Sequence, residues 1–299
     1  MVVRGNVKTV CAVIVTFNRL ALLKNSVRAY LEEGIDHMLI LNNASADSTS
    51  EYLESLKKQL GSRVSIIHSV ENTGGAGGFY QALLYARDNL SYDWFVISDD
   101  DSFPANGTIK KFRLSRMSEL KSIVLSAAVY FPNGNICPMN RPIAMPSFRN
   151  SLSNFLKRYP LVGLGNRAYK QSLVTEILAA SFVGMFVSAD TLSASKVLPD
   201  PDFFIYWDDI DFCLRLRQHS AKILFDPLLT FEHDCNRNSG SVSGTRFYYL
   251  VRNGYRVLKK MPLSYKLFGY PLKTLAWAYG SIRSKSVKFF VSALMDVNK

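Results

Sequence analysis

The sequence predicts an α/β fold in which a mostly parallel, Rossmann-like sheet carries helices on both faces. Two observations point to this fold. Short apolar runs alternate with segments of helical periodicity through roughly the first hundred residues, which is the order of strands and crossover helices in a parallel sheet. Each of these runs also ends in a polar or glycine-rich cluster, and parallel sheets bind their ligands beyond the carboxyl ends of their strands.

Each element of that stretch has a local reason. Residues 7–16 form a nearly continuous apolar run, as in a parallel strand that is covered on both faces. Apolar positions recur at helical spacing in residues 20–33, and Gly34 ends this helix. The alternation continues with predicted strands at 37–41, 64–68 and 92–98 and with predicted helices at 50–60 and from about residue 79 to 89.

The second half of the chain is less regular. A helix is predicted from 106 to about 120 and a strand at 122–130, and the loop-rich residues 131–170 would shape an acceptor pocket. Residues 177–188 are apolar around Gly184, and a glycine in a strand marks the close approach of a ligand or another backbone. Gly184 is therefore assigned to the acceptor side. A short helix at 190–196, a helix at 208–219 and a strand at 222–225 complete the predicted fold.

The composition is that of a globular protein. A chain of 299 residues, 48% hydrophobic and 20% charged, fits one large domain or one domain with an appendage, and these values argue against long disorder. The four cysteines are scattered and form no CxxC pair, which is typical of thiols in a reducing compartment and favours a cytoplasmic location. No apolar run reaches the length of a membrane-spanning helix.

The net charge of +12 is concentrated near the C-terminus. Residues 259–299 contain eight basic residues and one acidic residue, interleaved with Trp, Tyr and Phe. This mixture favours a peripheral membrane segment on an anionic surface, here the cytoplasmic face of the inner membrane. The alternative is a helical pair that packs on the domain with its lysines in water. No nucleic-acid motif accompanies the charge, so nucleic acid is not an expected partner. We therefore divide the chain into residues 1–255 and 256–299.

Asp99, Asp100 and Asp101 follow the strand at 92–98 and are the chemical centre of the prediction. Three adjacent carboxylates repel one another, so folding around them is costly unless a cation or hydrogen-bond donors offset the charge. In an extended chain, Asp99 and Asp101 would face one site and Asp100 would face away. Such oxygen ligands suit Mg²⁺ or Mn²⁺, which commonly bridge to substrate phosphates. A solvated acidic turn is the alternative.

Three more clusters lie at predicted strand ends. The glycines of residues 74–78 precede a helix, where backbone amides can hold phosphate or ribose oxygens, although neither a dinucleotide fingerprint nor a Walker A loop is present. The acids of residues 208–211 follow an aromatic run that would raise the pKa of a carboxyl group, which suits a general base; helix capping is the alternative. His233 is either a third metal ligand or a structural histidine.

Six ordered motifs resemble those of the family 2 glycosyltransferases of GT-A fold, over about residues 7–255. Among these enzymes, the GGAGGF, DDD and WDD forms are most similar to bacterial galactofuranosyltransferases, with rhamnosyltransferases close behind. The motifs are VTFNR (15–19), NNASADST (42–49), ENTGGAGGF (71–79), SDDDS (98–102), FFIYWDDIDFCLRLR (203–217) and YYLVRN (248–253).

The resemblance implies an inverting transfer from a nucleotide-diphospho sugar, with Asp209 as the base that deprotonates the acceptor hydroxyl. It also implies that Mn²⁺ or Mg²⁺ is held by Asp99, Asp101 and His233. Family members commonly have Asp where Asn42 stands. The implied donor-binding residues are Thr16, Phe17, Arg19, Asn43, Asn72, Gly74, Gly75, Asp99, Asp100 and Arg252, and the implied acceptor-side residues are Gly184, Trp207 and Asp208.

The expected function is transfer of galactofuranose from UDP-galactofuranose to a lipid-linked glycan, such as a precursor of O-antigen, capsule or cell-wall polysaccharide. A rhamnosyltransferase that uses dTDP-rhamnose is the nearest alternative. A nucleotidyltransferase would carry a glycine-rich, basic loop after the first strand, and VTFNR is no such loop. A non-catalytic glycan- or membrane-binding module would give no reason for DDD, WDD and His233 to occur together.

Overall fold

The computed structural model describes residues 7–145, 163–235 and 242–298, so part of the predicted insertion at 131–170 lies outside the described residues. The described residues form a sheet of ten strands in the order β3-β2-β1-β4-β9-β6-β10-β8-β7, with β5 paired to β10. The strands are β1 Val10–Thr16, β2 His37–Asn42, β3 Val64–His68, β4 Trp94–Asp99, β5 Ser102–Pro104, β6 Ile123–Tyr130, β7 Ile143–Ala144, β8 Thr175–Ala179, β9 Met185–Ser188 and β10 Lys222–His233.

The sheet is parallel from β3 to β4 and again between β6 and β10, and β9 runs antiparallel between these two groups. All seven residues of β1 are buried, as expected for a strand that is covered on both faces. The helices are α1 Leu20–Glu32, α2 Thr49–Leu60, α3 Gly74–Asn89, α4 Thr108–Leu114, α5 Asn166–Tyr169, α6 Ala189–Ser195, α7 Asp208–Gln218, α8 Gly244–Lys260, α9 Leu263–Arg283 and α10 Val287–Asp296.

Two apolar layers cover the two faces of the sheet. One contains Leu23 of α1, Leu53 of α2 and Phe112 of α4. The other contains Phe79 of α3 and Phe212 of α7, together with side chains from α8, α9 and α10. The predicted fold class, a mostly parallel sheet with helices on both faces, is therefore confirmed.

The apolar residues 177–188 form two strands rather than the single one that was predicted. The chain turns between β8 and β9, and Gly184 adopts a φ of +68° just before β9. A Cβ on Gly184 would lie 2.7 Å from the ring of Phe231 and 3.0 Å from the Cβ of Ala127. The close approach that Gly184 allows is thus one of packed core side chains, which corrects its assignment to the acceptor side.

Strand β10 is longer than predicted. The predicted strand covered residues 222–225, and Pro227, which follows it closely, cannot donate a ladder hydrogen bond. In the structure the pairing with β6 shifts register between Asp226 and Thr230 and then continues to His233. Because the irregularity accommodates the proline, His233 lies in the sheet and not in a loop after it.

The C-terminal helices belong to the same core as the rest of the chain. Helix α8 runs through residue 255, so the boundary drawn after that residue divides one helix. Tyr265 and Trp277 of α9 and Ala293 of α10 are buried within the apolar layer that contains α3 and α7. No helix in the described part of the chain is long and apolar enough to cross a membrane.

Candidate active site

The carboxyl ends of β1 and β4 and the end of β10 meet at one edge of the sheet. Asp99 is the last residue of β4 and is paired with Val15 of β1. Strand β5, which follows the acidic triplet directly, runs antiparallel to β10 and sets Ser102 opposite His233. The backbone N–H of Asp234 donates to the carbonyl of Asp101 at 2.8 Å. This pairing brings a histidine from late in the sequence beside the triplet.

The triplet is not extended, so the alternation predicted for it does not hold. The strand ends at Asp99, and the chain turns at Asp100 and Asp101. Asp100 is buried and accepts hydrogen bonds from the Thr16 hydroxyl at 2.7 Å and from the backbone N–H of Phe17 at 3.4 Å. Asp100 therefore does not face away. It holds the loop after β1 against the triplet, because side chains alternate only where the backbone stays extended.

Asp101 and His233 form a close buried pair. Asp101 Oδ1 lies 3.2 Å from His233 Nε2, yet it accepts no hydrogen bond of good geometry within the described residues. Burial opposes ionisation of Asp101, but contact with His233 and the charge of Arg19 hold its pKa below the ordinary value. Burial likewise opposes a charge on His233, and Asp101 outweighs it and raises the His233 pKa to about 10.

Asp99 lies close to Asp101 in the chain and is influenced by the charges of both Asp101 and His233. Burial and the neighbouring charge of Asp101 raise the pKa of Asp99 to about 7. Asp101 has a buried carboxylate oxygen without a hydrogen-bond partner among the described residues, beside an imidazole nitrogen of His233, and the charges of both residues act on Asp99. Two carboxylates and a histidine suit Mn²⁺ or Mg²⁺, and a cation would offset the repulsion within the triplet.

A guanidinium offsets part of the charge of the triplet. Arg19 Nη1 lies 2.7 Å from Asp101 Oδ2 and 3.3 Å from Asp100 Oδ1. The Arg19 side chain is 51% exposed, so it can leave without disturbing the core. Arg19 and Asp101 also line a cleft of about 370 Å³, together with Leu22, Asp234 and Cys235.

The glycine cluster forms the first turns of α3 and packs on the aromatic segment before α7. Ala76 N–H donates to the carbonyl of Phe204 at 3.1 Å, and a Cβ on Gly74, whose φ is +72°, would clash with that carbonyl. A Cβ on Gly75 would meet nothing within 4 Å, so the open side of this turn lies at Gly75. Gly74 thus serves close packing, whereas Gly75 leaves room for a ligand.

Asn43 and Asn72 hold this glycine turn in place. Asn43 is buried; its amide donates to Asn72 Oδ1 at 3.1 Å and to the Gly74 carbonyl at 2.9 Å, and its oxygen accepts from Thr73. Asn72 Oδ1 also accepts from the Gly74 N–H at 2.9 Å. Because the polar atoms of Asn43 are all engaged, its place in the structure is that of a loop anchor.

The segment before α7 is strained and is fixed by Asn253. Phe204, Tyr206 and Trp207 all have positive φ, at 59°, 67° and 69°, which costs roughly 1–3 kcal/mol for each such residue. The buried Asn253 amide donates to the carbonyls of Phe203 at 2.7 Å, Ile205 at 2.8 Å and Tyr206 at 3.2 Å. Strain of this kind persists only where the surroundings impose it, and Asn253 imposes it here.

The three acids that follow Trp207 have different environments. Asp211 is buried and paired with Arg215 at 2.6 Å and with Lys260 at 2.5 Å, so it is structural. Burial, then the charges of Asp209 and of Asp99, raise the pKa of Asp208 well above its ordinary value. Burial raises the pKa of Asp209 to about 6. The charge of Asp99 therefore links the triplet electrostatically to Asp208.

Trp207 and Arg252 connect the C-terminal helices with the aromatic segment before α7, which we call the aromatic wall. Trp207 Nε1 donates to the carbonyl of Leu250 at 3.0 Å, and its ring packs edge-on against Trp277 of α9. The Lys273 ammonium lies 5.5 Å from the Trp207 ring centroid. Arg252 donates to the carbonyl of Asp202 and stacks on the rings of Tyr248 and Tyr249, so its contacts are with the aromatic wall and not with the triplet.

The sequence analysis did not identify two residues that position the site. Asn253 ends the YYLVRN motif, but only Arg252 of that motif carried a predicted role. Asn140 lies in the loop-rich residues after β6, and its Oδ1 is 2.8 Å from His233 Nδ1. A polar residue on the buried face of α8 was a signal that could have identified Asn253, whereas Asn140 offered none.

Comparison with known proteins agrees with this architecture. The model of glycosyl transferase family 2 matches residues 11–178. The galactofuranosyltransferase GlfT1 of Mycolicibacterium smegmatis (strain ATCC 700084 / mc(2)155) is 29% identical over 216 residues, which cover 70% of this chain and 65% of that protein. The chain therefore spans less than two thirds of that relative.

Two solved structures share the fold at low sequence identity. The crystal structure of GalNAc-T7 with UDP, GalNAc and Mn²⁺ has a TM-score of 0.63 at 15% identity, covering 88% of this chain and 49% of that one. The crystal structure of S. aureus TarS 1-349 has a TM-score of 0.56 at 13% identity, covering 85% and 66%. With a family model that matches more than half of its length, this GT-A-fold chain belongs to glycosyl transferase family 2.

Proposed function

We propose that this protein transfers galactofuranose, with inversion, from UDP-galactofuranose to a hydroxyl of a lipid-linked glycan, with Mn²⁺ or Mg²⁺ at the donor. One observation supports it best: Asp101 Oδ1, which is buried and has no hydrogen-bond partner among the described residues, lies 3.2 Å from His233 Nε2, the pair expected to bind the donor-site cation. The galactofuranosyl donor is supported by the similarity to GlfT1, and the nucleotide by the UDP bound in the GalNAc-T7 structure.

The cation would be held by Asp99, Asp101 and His233, where it would neutralise charge that develops on the leaving diphosphate. The chain's own residues supply the rest. Gly75 leaves room beside the turn of α3 for donor oxygens, whereas Asn43 and Asn72 keep that turn in place. Thr16, Phe17 and Arg19 border the nucleotide, and Asp100 fixes their loop.

Asp209 is the base in this proposal because the two neighbouring acids are unsuited. Asp211 is committed to Arg215 and Lys260, and burial together with the charges of Asp209 and Asp99 raises the pKa of Asp208 well above its ordinary value, which favours the protonated form. With a pKa of about 6, Asp209 is ionised at neutral pH yet basic enough to accept a proton. The acceptor oxygen bonds to the anomeric carbon as the bond to the diphosphate breaks, and the hydroxyl proton passes to Asp209.

Peripheral membrane association is the second part of the proposal, and an exposed apolar stripe on α9 supports it. Leu267, Leu275, Tyr279 and Ile282 recur at helical spacing, and each is more than half exposed. The exposed basic residues Arg283, Lys285 and Lys288 follow it. An apolar stripe beside basic residues fits an anionic bilayer surface, where lipid-linked acceptors reside.

A donor competition assay tests the sugar transfer. The purified chain is incubated with Mn²⁺, an extract of lipid-linked glycans, and either UDP-galactofuranose or dTDP-rhamnose, and the released nucleotide is measured. The proposal predicts UDP release and a product whose anomeric configuration is opposite to that of the donor. Turnover of dTDP-rhamnose alone would make the protein a rhamnosyltransferase, and release of pyrophosphate would make it a nucleotidyltransferase. Asp101→Asn is the inactive control.

A further inference from the structure

A second group of possible metal ligands lies behind the donor site. The sulfur atoms of Cys137 and Cys235 and a ring nitrogen of His233 all lie within 4.8 Å of one another. Cys137 Sγ is 3.8 Å from His233 Nδ1. Cys137 and His233 are buried, whereas Cys235 is partly exposed. Cys235 also lines the cleft that contains Arg19 and Asp101, so a cation can reach the group from that cleft.

The fold brings these residues together across 96 positions of sequence. After β6 the chain turns back, and the Cys137 N–H donates to the carbonyl of Val129 at 3.0 Å. Strand β10 pairs with β6 through Glu232 and Tyr130, so His233 and then Cys235 arrive beside that turn. The pair of thiols therefore depends on the irregular continuation of β10 past Pro227.

The two nitrogens of His233 face different chemistry. Nε2 faces the carboxylate of Asp101, 3.2 Å away, and Nδ1 faces the thiols. Asn140 Oδ1 accepts from Cys137 Sγ at 3.0 Å and lies 2.8 Å from His233 Nδ1, so one amide oxygen holds the two ligand atoms close together and would give up both contacts when they bind a cation. A histidine that binds a metal through one nitrogen usually donates the other N–H to a carboxylate, and Asp101 is placed to accept it.

We propose that Cys137, His233 Nδ1 and Cys235 form a binding site for a thiophilic cation of the Zn²⁺ class, which shares His233 with the proposed hard-cation site of the donor. Two thiolates and an imidazole select Zn²⁺ over Mn²⁺ or Mg²⁺. Two thiol protons and the proton on His233 Nδ1 pass to solvent on binding, so the cation and two thiolates are electrically neutral and the imidazole is neutral. Thiolates around tetrahedral zinc lie roughly 3.8 Å apart, within about an ångström of the present spacing. Met139 Sδ, 3.7 Å from Cys235 Sγ, offers a fourth ligand.

Occupation of this site would regulate the donor site, and this step rests on the proposed function. A neutral imidazole binds one cation. With Nδ1 on zinc, Nε2 carries its proton toward Asp101 and no longer offers a lone pair to Mn²⁺. Zinc is therefore an antagonist of the donor-site cation that acts through His233 and without touching the acidic triplet.

A Cd²⁺ titration of the reduced full-length chain, in the absence of nucleotide, tests the site by the thiolate-to-metal absorption band. One Cd²⁺ per chain is expected, with the intensity of two thiolates, and Zn²⁺ should displace it. Cys235→Ser and Cys137→Ala should each weaken binding at least about tenfold, whereas Cys213→Ala, which removes a buried thiol elsewhere, should not. Absence of the band, or its loss in Cys213→Ala as well, would overturn the proposal.

Calorimetry of UDP binding with Mn²⁺ tests the regulation separately. Adding one equivalent of Zn²⁺ should weaken UDP binding at least about fivefold in the wild type and leave the Cys235→Ser variant unaffected. Equal weakening in both proteins would overturn the regulatory step. A chain that binds Cd²⁺ at the thiols but transfers no galactofuranose would contradict the proposed function and leave this site standing.

Discussion

Arg19 Nη1 lies 2.7 Å from Asp101 Oδ2, so a guanidinium touches the carboxylate that is the best candidate for a direct metal ligand. The pair is half exposed on the arginine side, and burial of the Asp101 side chain is nearly complete. An arginine in this place offsets the triplet when no cation is bound. It also competes with the cation for the charge of the same carboxylate.

Replacing Arg19 should therefore change metal affinity in a definite direction. Arg19→Gln is expected to tighten Mn²⁺ binding by the nucleotide-free protein about two- to fivefold, the value of a partly exposed ion pair. The same variant should weaken UDP binding, because Arg19 is proposed to border the nucleotide. Calorimetric titration measures both. Arg28→Gln is the matched control, because the guanidinium that it removes donates to Asn25 nearby. Weaker Mn²⁺ binding by Arg19→Gln would contradict the competition.

Asn253 should matter for turnover more than for donor binding. Asn253→Ala removes donors to three carbonyls and frees a segment with three positive-φ residues, so the free energy of unfolding should fall by about 1–3 kcal/mol. The rate of transfer should fall because Asp209 follows that segment directly. UDP affinity should stay within about twofold. Denaturant unfolding, kinetics and calorimetry measure the three quantities, with the exposed Asn89→Ala as control. An unchanged rate would show that the strained segment does not position Asp209.

The pH dependence of turnover should report the base. Burial raises the Asp209 pKa to about 6, and a general base works only in its ionised form, so the rate is lost as the pH falls through this value. At saturating donor and Mn²⁺, kcat should fall about tenfold per pH unit on the acidic side and be level above about pH 7. UDP binding measured at each pH separates this effect from titration of the triplet. A kcat that stays level down to about pH 5 would rule out this base.

The exposed stripe on α9 gives a sharper membrane test than removal of the C-terminus. Deleting residues 260–299 would remove Tyr265 and Trp277, which are buried in the core, so folding and membrane binding would change together. Leu275→Ser with Ile282→Ser alters only exposed side chains and should reduce cosedimentation with vesicles of anionic phospholipid by about tenfold. Leu114→Ser, an exposed leucine of α4, should have no effect. Equal sedimentation of the two variants would exclude the stripe as the membrane contact.

The sequence predicts the grouping of the site better than its geometry. Parallel strands place their carboxyl ends at one edge, so the triplet, the loop after β1 and the glycine turn had to meet. The exact role of Asp100 depends on a turn that begins one residue after the strand, and no pattern marks that turn. His233 reaches the triplet only because β10 continues past Pro227. Gly184 leaves space for the ring of Phe231. From the sequence alone, a glycine that makes room for a core side chain looks the same as one that makes room for a ligand.

For the C-terminal basic segment as well, the sequence predicts the general character but not the geometry. Its charge and its aromatic residues predict an interface, but they do not tell which side chains face the core. In the structure Trp277 packs on Trp207 beside the WDD acids, while Leu275 and Ile282 of the same helix remain exposed. One side of helix α9 thus packs against the candidate site, and the other side is exposed.

Turnover by Asp209→Asn, compared with Asp208→Asn, is the measurement that tests the central claim most directly. With the base removed and the shape kept, transfer from UDP-galactofuranose should fall roughly 10²–10⁴-fold at saturating Mn²⁺, while UDP binding stays within about twofold. Asp208→Asn, which replaces a carboxyl group whose raised pKa favours the protonated form, should retain far more activity. Near-normal turnover by Asp209→Asn, or a greater loss in Asp208→Asn, would contradict the assignment of Asp209 as the base.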